Sequence, residues 1–156
     1  MADAKPDKPG VIAPPPLIFL AGILIGVAVD QFWSGSFWPG PMRHLIAVPL
    51  ILGGLVAAFM VLLRFREAGT NIEPYKPTTA IVTDGLFSWS RNPVYLAMVA
   101  VTIGVGLALD NFWVLAMLIL VLPVMHHGVI IREERYLTDK FGGDYTRYKN
   151  TVRRWL

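Results

Sequence analysis

The sequence predicts an all-α integral membrane protein: four transmembrane helices with both termini cytoplasmic, plus a C-terminal amphipathic helix. Three observations lead there. Of the 156 residues, 54% are hydrophobic and 16% charged, with a mean hydropathy of +0.53, too apolar for an ordinary soluble domain. Four apolar runs, 17–33, 45–63, 93–109 and 112–131, approach the length that crosses roughly 30 Å of hydrocarbon at about 1.5 Å per residue. Basic residues are one-sided: Lys5 and Lys8 precede the first run, Arg64, Arg66, Lys76 and Arg91 separate the second from the third, and seven follow the fourth. Cytoplasmic termini and an even number of crossings satisfy all 14 except Arg43. The expected location is the cytoplasmic membrane of a prokaryote.

Residues 1–16 are rich in proline and charge, and read as a disordered leader without chemistry of its own. The remainder, 17–156, reads as a single membrane domain. The continuous apolar part of the first run, 17–29, has the length of a signal-peptide core. The long proline-rich leader, with Lys5 and Lys8 offset by Asp3 and Asp7, argues for a retained helix. In the loop that follows, Phe37 and Trp38, with Trp33 just before it, suit an interfacial aromatic belt. Pro49 and Gly53-Gly54 in the second run, and Gly104 and Gly106 in the third, mark kinks or close helix packing.

Leu109-Asp110-Asn111 allows only a tight turn, so the third and fourth helices must be antiparallel neighbours. Asn92, at the start of one, and Glu133, at the end of the other, therefore lie at similar depth. Beyond them, Phe141, Tyr145, Tyr148, Val152 and Trp155 recur at helical spacing, opposite Arg147, Lys149, Arg153 and Arg154. This helix, over 144–155, should lie along the membrane surface or cap the bundle. The basic tail suits anionic lipid headgroups, and nothing points to nucleic acid. The chain has no cysteine, which excludes disulfides, thiolate metal ligands and a cysteine nucleophile.

Two clusters carry candidate chemistry. In Ser90-Arg91-Asn92-Pro93-Val94-Tyr95, asparagine suits an N-cap and proline the first helical position. One reading is a well-made helix start. The other is an anion site formed by the unpaired N–H groups of that start, with Tyr95 lining it. On the fourth helix, His126 and Glu133 are seven residues apart, as are His127 and Glu134, which places each pair on nearly one face. Ionisable groups at that depth face a polar cavity or a hydrogen-bonded packing partner. Two adjacent histidines without a further ligand pattern do not make a metal site, and no metal is expected. Arg132-Glu133-Glu134-Arg135 also suits a solvated turn of local ion pairs.

Together with Thr83-Asp84-Gly85-Leu86-Phe87, Glu133-Glu134-Arg135-Tyr136-Leu137 and Phe141-Gly142-Gly143-Asp144-Tyr145-Thr146-Arg147-Tyr148, these residues resemble the integral-membrane methyltransferases that include isoprenylcysteine carboxyl methyltransferases and small phospholipid methyltransferases. The resemblance runs from about Gly69 to Leu156. It implies an S-adenosylmethionine pocket on the cytoplasmic side, with Asn92, Pro93, Tyr95, Leu96, Glu133 and Glu134 as cofactor-binding residues and His126 as a further contributor. Asn92 stands where the isoprenylcysteine enzymes have histidine, so no imidazole chemistry carries over to that position. The implied activity is methyl transfer to a lipophilic acceptor: an isoprenylcysteine-like carboxylate, a lipid amine or a thiol. A carboxylate needs no base, whereas an ammonium or thiol must lose a proton, for which Glu134 or His127 are candidates. Arg91 and Arg147 suit an anionic acceptor. The rival reading is a non-enzymatic accessory protein or small transporter that uses the His/Glu cluster as a polar pathway.

Overall fold

A computed structural model describes residues 7–156, and among these the regular secondary structure is wholly helical. Helix α1 spans Pro15–Asp30, α2 His44–Glu67, α3 Pro93–Ala108 and α4 Phe112–Met125. A single π-helical turn, His126–Ile130, joins α4 to α5, Ile131–Phe141, and α6 occupies Gly143–Thr151. Two of the helical runs, Pro41–Glu67 and Phe112–Phe141, are long and apolar enough to cross a membrane, and α1 and α3 are shorter apolar helices. The charged α5 extends past the apolar part of the second long run.

The outward faces explain why such a bundle suits lipid. Leu17, Leu20 and Leu24 on α1, Leu52, Leu55, Val56 and Phe59 on α2, and Ile119 and Leu120 on α4 are all exposed, a contiguous apolar exterior of a kind that soluble monomers rarely show. Inside, α3 is central: α2 packs along it, α4 lies against it, and α1 packs chiefly on α4. Close approach uses the expected small residues. A Cβ at Gly54 would stand 2.8 Å from the Ala97 carbonyl oxygen, and one at Gly104 2.9 Å from that of Ala47. Gly53 faces open space instead.

The tight turn between α3 and α4 forms as expected. Asn111 caps α4, its side-chain oxygen accepting the Val114 N–H at 3.0 Å. Asp110 adopts a left-handed φ of 52°, and its carboxylate accepts from Ser36 Oγ and from the backbone N–H of Phe37 and Trp38 at 2.6–3.1 Å, which ties this turn to the loop between α1 and α2.

The terminal segments depart in detail from the expectations. Helix α6 ends at Thr151, and Val152 is extended, because the backbone beyond it pairs with the start of α3. Tyr145 and Tyr148 are buried, so α6 caps the bundle. The expectation of a disordered leader over 1–16 meets the structure only from Asp7 onward, since residues 1–6 lie outside the described residues, and there the segment is joined to the bundle. The Ile12 N–H donates to the Gly128 carbonyl at 3.1 Å, and the Ile12 side chain occupies the space that Gly128, lacking a Cβ, leaves beside the π turn.

Candidate active site

The site begins where α3 does. Proline at its first position has no N–H to leave unpaired, and Asn92 does not cap with its side chain. Its Nδ2 instead donates to the Arg154 carbonyl at 2.9 Å, and Ser90 Oγ donates to the same oxygen at 3.2 Å. The Arg91 N–H donates to the Arg153 carbonyl at 2.9 Å. The C-terminal residues are thereby stitched to the start of α3, and the Arg154 side chain is brought over α5.

There it meets Glu134. Arg154 Nε and Nη2 donate to the two carboxylate oxygens at 2.9 and 2.8 Å, a bidentate fork. Arg91 Nη1 lies 3.2 Å from Oε1 and Lys149 Nζ 3.9 Å from Oε2. Burial pushes the Glu134 carboxyl upward, but the Arg154 hydrogen bonds and the charges of Arg91, Arg154 and Lys149 outweigh it and hold the group below its ordinary range.

Glu133 points elsewhere. Both its oxygens accept from the Tyr95 hydroxyl at 2.8 Å, which joins α5 to the first turn of α3. It is half-buried and lines a cavity. Burial pushes its carboxyl up to about 7, the Tyr95 hydrogen bond opposing and the Glu134 charge adding.

The cavity measures about 120 Å³. Its walls come from α2 at Phe65, the non-helical loop 71–82, the start of α3, α5 at Glu133 and Tyr136, α6 at Tyr145 and Tyr148, and Pro9 of the leader. Arg91 lines it with a side chain only 9% exposed, and its Nε and Nη1 are buried without a hydrogen-bond partner. Buried donors of this kind normally find an acceptor. Burial, with the Glu134 charge adding, raises the Tyr145 phenol to about 12, so it stays a neutral donor at physiological pH.

Of the residues expected at the site, Arg91, Asn92, Pro93, Tyr95 and Glu133 line this cavity, and Glu134 stands behind Arg91. Leu96, His126 and His127 do not; with Val99, Leu122, Pro123 and Trp155 they line a separate groove of about 470 Å³. The seven-residue spacing assumes an unbroken α-helix, and the π turn at His126–Ile130 shifts the register between the histidines and the glutamates. Arg147 is exposed on α6, and its carbonyl accepts the Thr151 hydroxyl at 3.3 Å. Sequence reasoning missed Arg154, Tyr136, the pocket-lining role of Tyr145 and Tyr148, and the 71–82 wall. Arg154 lies 20 positions from its partner, and only its place in a basic tail marked it. The tyrosines were visible as an apolar stripe.

The donor set has a definite chemistry. Arg91 offers N–H groups to a carboxylate, Glu133 and the tyrosine rings suit a positive group, and Phe65, Val82 and Phe87 give an apolar face. Residues 42–144 match the phospholipid methyltransferase family. A stretch of 72 residues, 46% of the chain, is 40% identical to protein-S-isoprenylcysteine O-methyltransferase of Saccharomyces cerevisiae, and a 72-residue stretch is 33% identical to the protein of the same name in Schizosaccharomyces pombe. The chain spans 30% of the length of each. Over 63 residues it is 40% identical to an uncharacterized protein of Haemophilus influenzae, covering 100% of that protein and 40% of this chain. No solved structure matches it.

Proposed function

The chain belongs to the phospholipid methyltransferase family, and on that premise we propose that it transfers a methyl group from S-adenosylmethionine to a lipophilic acceptor at the cytoplasmic face of a membrane. The observation that carries this reading is the buried Arg91, whose Nε and Nη1 make no hydrogen bond although Nη1 pairs electrostatically with Glu134, in a cavity that also holds the Tyr95–Glu133 pair. When bound, S-adenosylmethionine supplies an electrophilic methyl group on a sulfonium. Arg91, with the N-terminus of α3 beside it, binds the carboxylate. Glu133 and the faces of Tyr95 and Tyr145 hold the positive end, and Phe65, Val82 and Phe87 exclude water from the planar base.

The groove at Leu96, His126 and Trp155 favours an acceptor arriving from the hydrocarbon, since Tyr95 faces the cavity and its neighbour Leu96 the groove. A carboxylate acceptor needs only to be aligned. For a lipid amine or thiol, Glu133 takes the proton, because a carboxyl with its pKa near 7 accepts one at neutral pH, whereas Glu134 is held by its cations. Four crossings with both termini cytoplasmic in a prokaryotic inner membrane fit the one-sided charge distribution and put this end of the bundle inside the cell. The described cavities draw their walls from that same end, which favours an enzyme over a transport pathway.

Purified protein incubated with radiolabelled S-adenosylmethionine and lipid extract is expected to bind the donor and label lipid. Intact protein that binds no donor overturns the proposal, and donor binding without labelled product favours the non-enzymatic reading. Arg91→Lys keeps the charge facing Glu134 but loses the fork, so donor affinity should fall about tenfold; an unchanged Kd removes Arg91 from the pocket.

A further inference from the structure

The walls of the cavity differ in kind. Most are helical and packed into the bundle, but the leader at Pro9 and the loop 71–82 are not helical. Both are fastened to one atom, the Tyr136 hydroxyl on α5. That hydroxyl donates to Asp7 Oδ1 at 2.7 Å and accepts from the Thr78 backbone N–H at 3.1 Å and from Lys140 Nζ at 3.0 Å. One proton and two lone pairs are therefore all engaged. Lys140 also grips the Asp7 carboxylate directly, at 2.6 and 2.7 Å. Further along, Arg132 Nη1 donates to the Gly10 carbonyl at 2.8 Å, and Ile12 is anchored at Gly128.

The space enclosed is small. At about 120 Å³ the cavity falls below the roughly 300 Å³ at which sites for small molecules and cofactors begin, so a wall must retreat before a cofactor enters. The helical walls carry the buried cores that hold the bundle together, whereas the leader is held at its outer end by hydrogen bonds and an ion pair whose members are substantially exposed. Segments with few buried apolar contacts open first.

We propose that the segment 7–12 is a strap whose Pro9 closes the cavity, anchored at Gly10 by Arg132 and at Ile12 by Gly128 and clasped at Tyr136 and Lys140 through Asp7, and that release of the clasp admits and discharges the donor. This rests on reading the cavity as the donor pocket. Opening the clasp removes the acceptor that orients the Tyr136 hydroxyl, while its oxygen can still accept from the Thr78 N–H, so the leader moves first and the loop 71–82 keeps its tie. The strap governs access, and the donor-binding groups at the start of α3 and on α5, Arg91, Tyr95 and Glu133, stay in place.

The chain has no cysteine, so Val82→Cys, a buried cavity-wall position, gives a single thiol whose labelling by a small water-soluble reagent reads access in the full-length protein. In that background Asp7→Asn and Tyr136→Phe are each expected to speed labelling by at least about threefold. Raising salt should speed labelling of the parent towards the Asp7→Asn rate and leave Asp7→Asn unchanged, because an exposed ion pair is screened. Equal labelling rates in parent and both variants overturn the strap, as does a rise that simply follows a loss of thermal stability. Protection of the introduced thiol by S-adenosylmethionine tests the donor reading separately: an Asp7→Asn effect without protection sinks that reading and keeps the strap, and protection without an Asp7→Asn effect does the reverse.

Discussion

Glu133 meets one neutral partner, the Tyr95 hydroxyl, whereas Glu134, one residue on, is met by Arg154, Arg91 and Lys149. Successive residues on a helix point about 100° apart, so α5 turns one carboxylate into the cavity and the next toward the C-terminal tail. The consequences for ionisation are opposite: burial lifts the first to about 7, and the cations hold the second below its ordinary range. Two identical side chains thus divide the work. Glu134 holds the tail and the start of α3 in one place, and Glu133 keeps a charge state that responds to pH at the cavity wall.

Removing the Glu134 charge should produce the largest effect. Glu134→Gln leaves Arg91 buried and Arg154 unneutralised, and breaking a buried pair in this way costs about 3 kcal/mol. A lower melting temperature in detergent at pH 7 is the expected result, and unchanged stability would show that the fork holds nothing together. The pH dependence has a definite sign. The folded-state pKa is depressed, so this stabilisation is present above the ordinary carboxyl value of 4.5 and is lost as pH falls through the folded pKa. The gap between wild type and variant should therefore close in acid. Arg154→Gln should cost less, since Arg154 is 33% exposed and Arg91 and Lys149 remain.

Glu133→Gln should show the reverse slope. Between 4.5 and about 7 the folded protein keeps a proton that the unfolded chain releases, so ionisation of Glu133 lowers stability as pH rises, by up to about 3 kcal/mol once both states are ionised. Relative to wild type, the variant should gain stability from pH 5 to pH 8. Donor affinity should move the other way: in wild type it should rise through about pH 7 as the carboxylate forms, and in Glu133→Gln it should be weak and flat. Parallel slopes for the two glutamine variants would erase the distinction between the carboxylates.

Much of this contrast was legible in the sequence. The short Leu109-Asp110-Asn111 turn placed Asn92 and Glu133 at one depth, and the Tyr95–Glu133 contact follows from that connectivity. The apolar runs located α1 to α4 to within a few residues, apart from the end of α4 where the π turn begins, because a long apolar helix leaves a strong compositional signal. What stayed hidden has physical reasons. A π turn carries no marker in residue type, so spacing alone puts the histidines on the glutamates' face. The fork from Arg154 depends on an extended stretch beyond Thr151 that breaks a helical pattern which, read alone, continues to Trp155. The leader's proline and charge suggest disorder, although Asp7 and Ile12 each have a specific partner on α5 or the π turn before it.

The smallest change sharpens the comparison most. Tyr95→Phe removes one hydroxyl and leaves the ring, the helix start and every cation around Glu134. The Tyr95 hydrogen bond is the one influence that lowers the Glu133 pKa, against burial and the neighbouring charge. Without it the midpoint of the pH dependence of donor affinity should move above 7, by roughly half a unit to one unit for a hydrogen bond worth about 1 kcal/mol. Stability should scarcely change at pH 5, where Glu133 is protonated, and should fall modestly at pH 8, where the carboxylate loses its donor. The Glu134 network, measured through its acid-side loss of stability, should be unaffected. A midpoint that stays near 7 would mean that Glu133 is tuned by solvent reaching it through the cavity, and the functional contrast between the two glutamates would then rest on Glu134 and its cations alone.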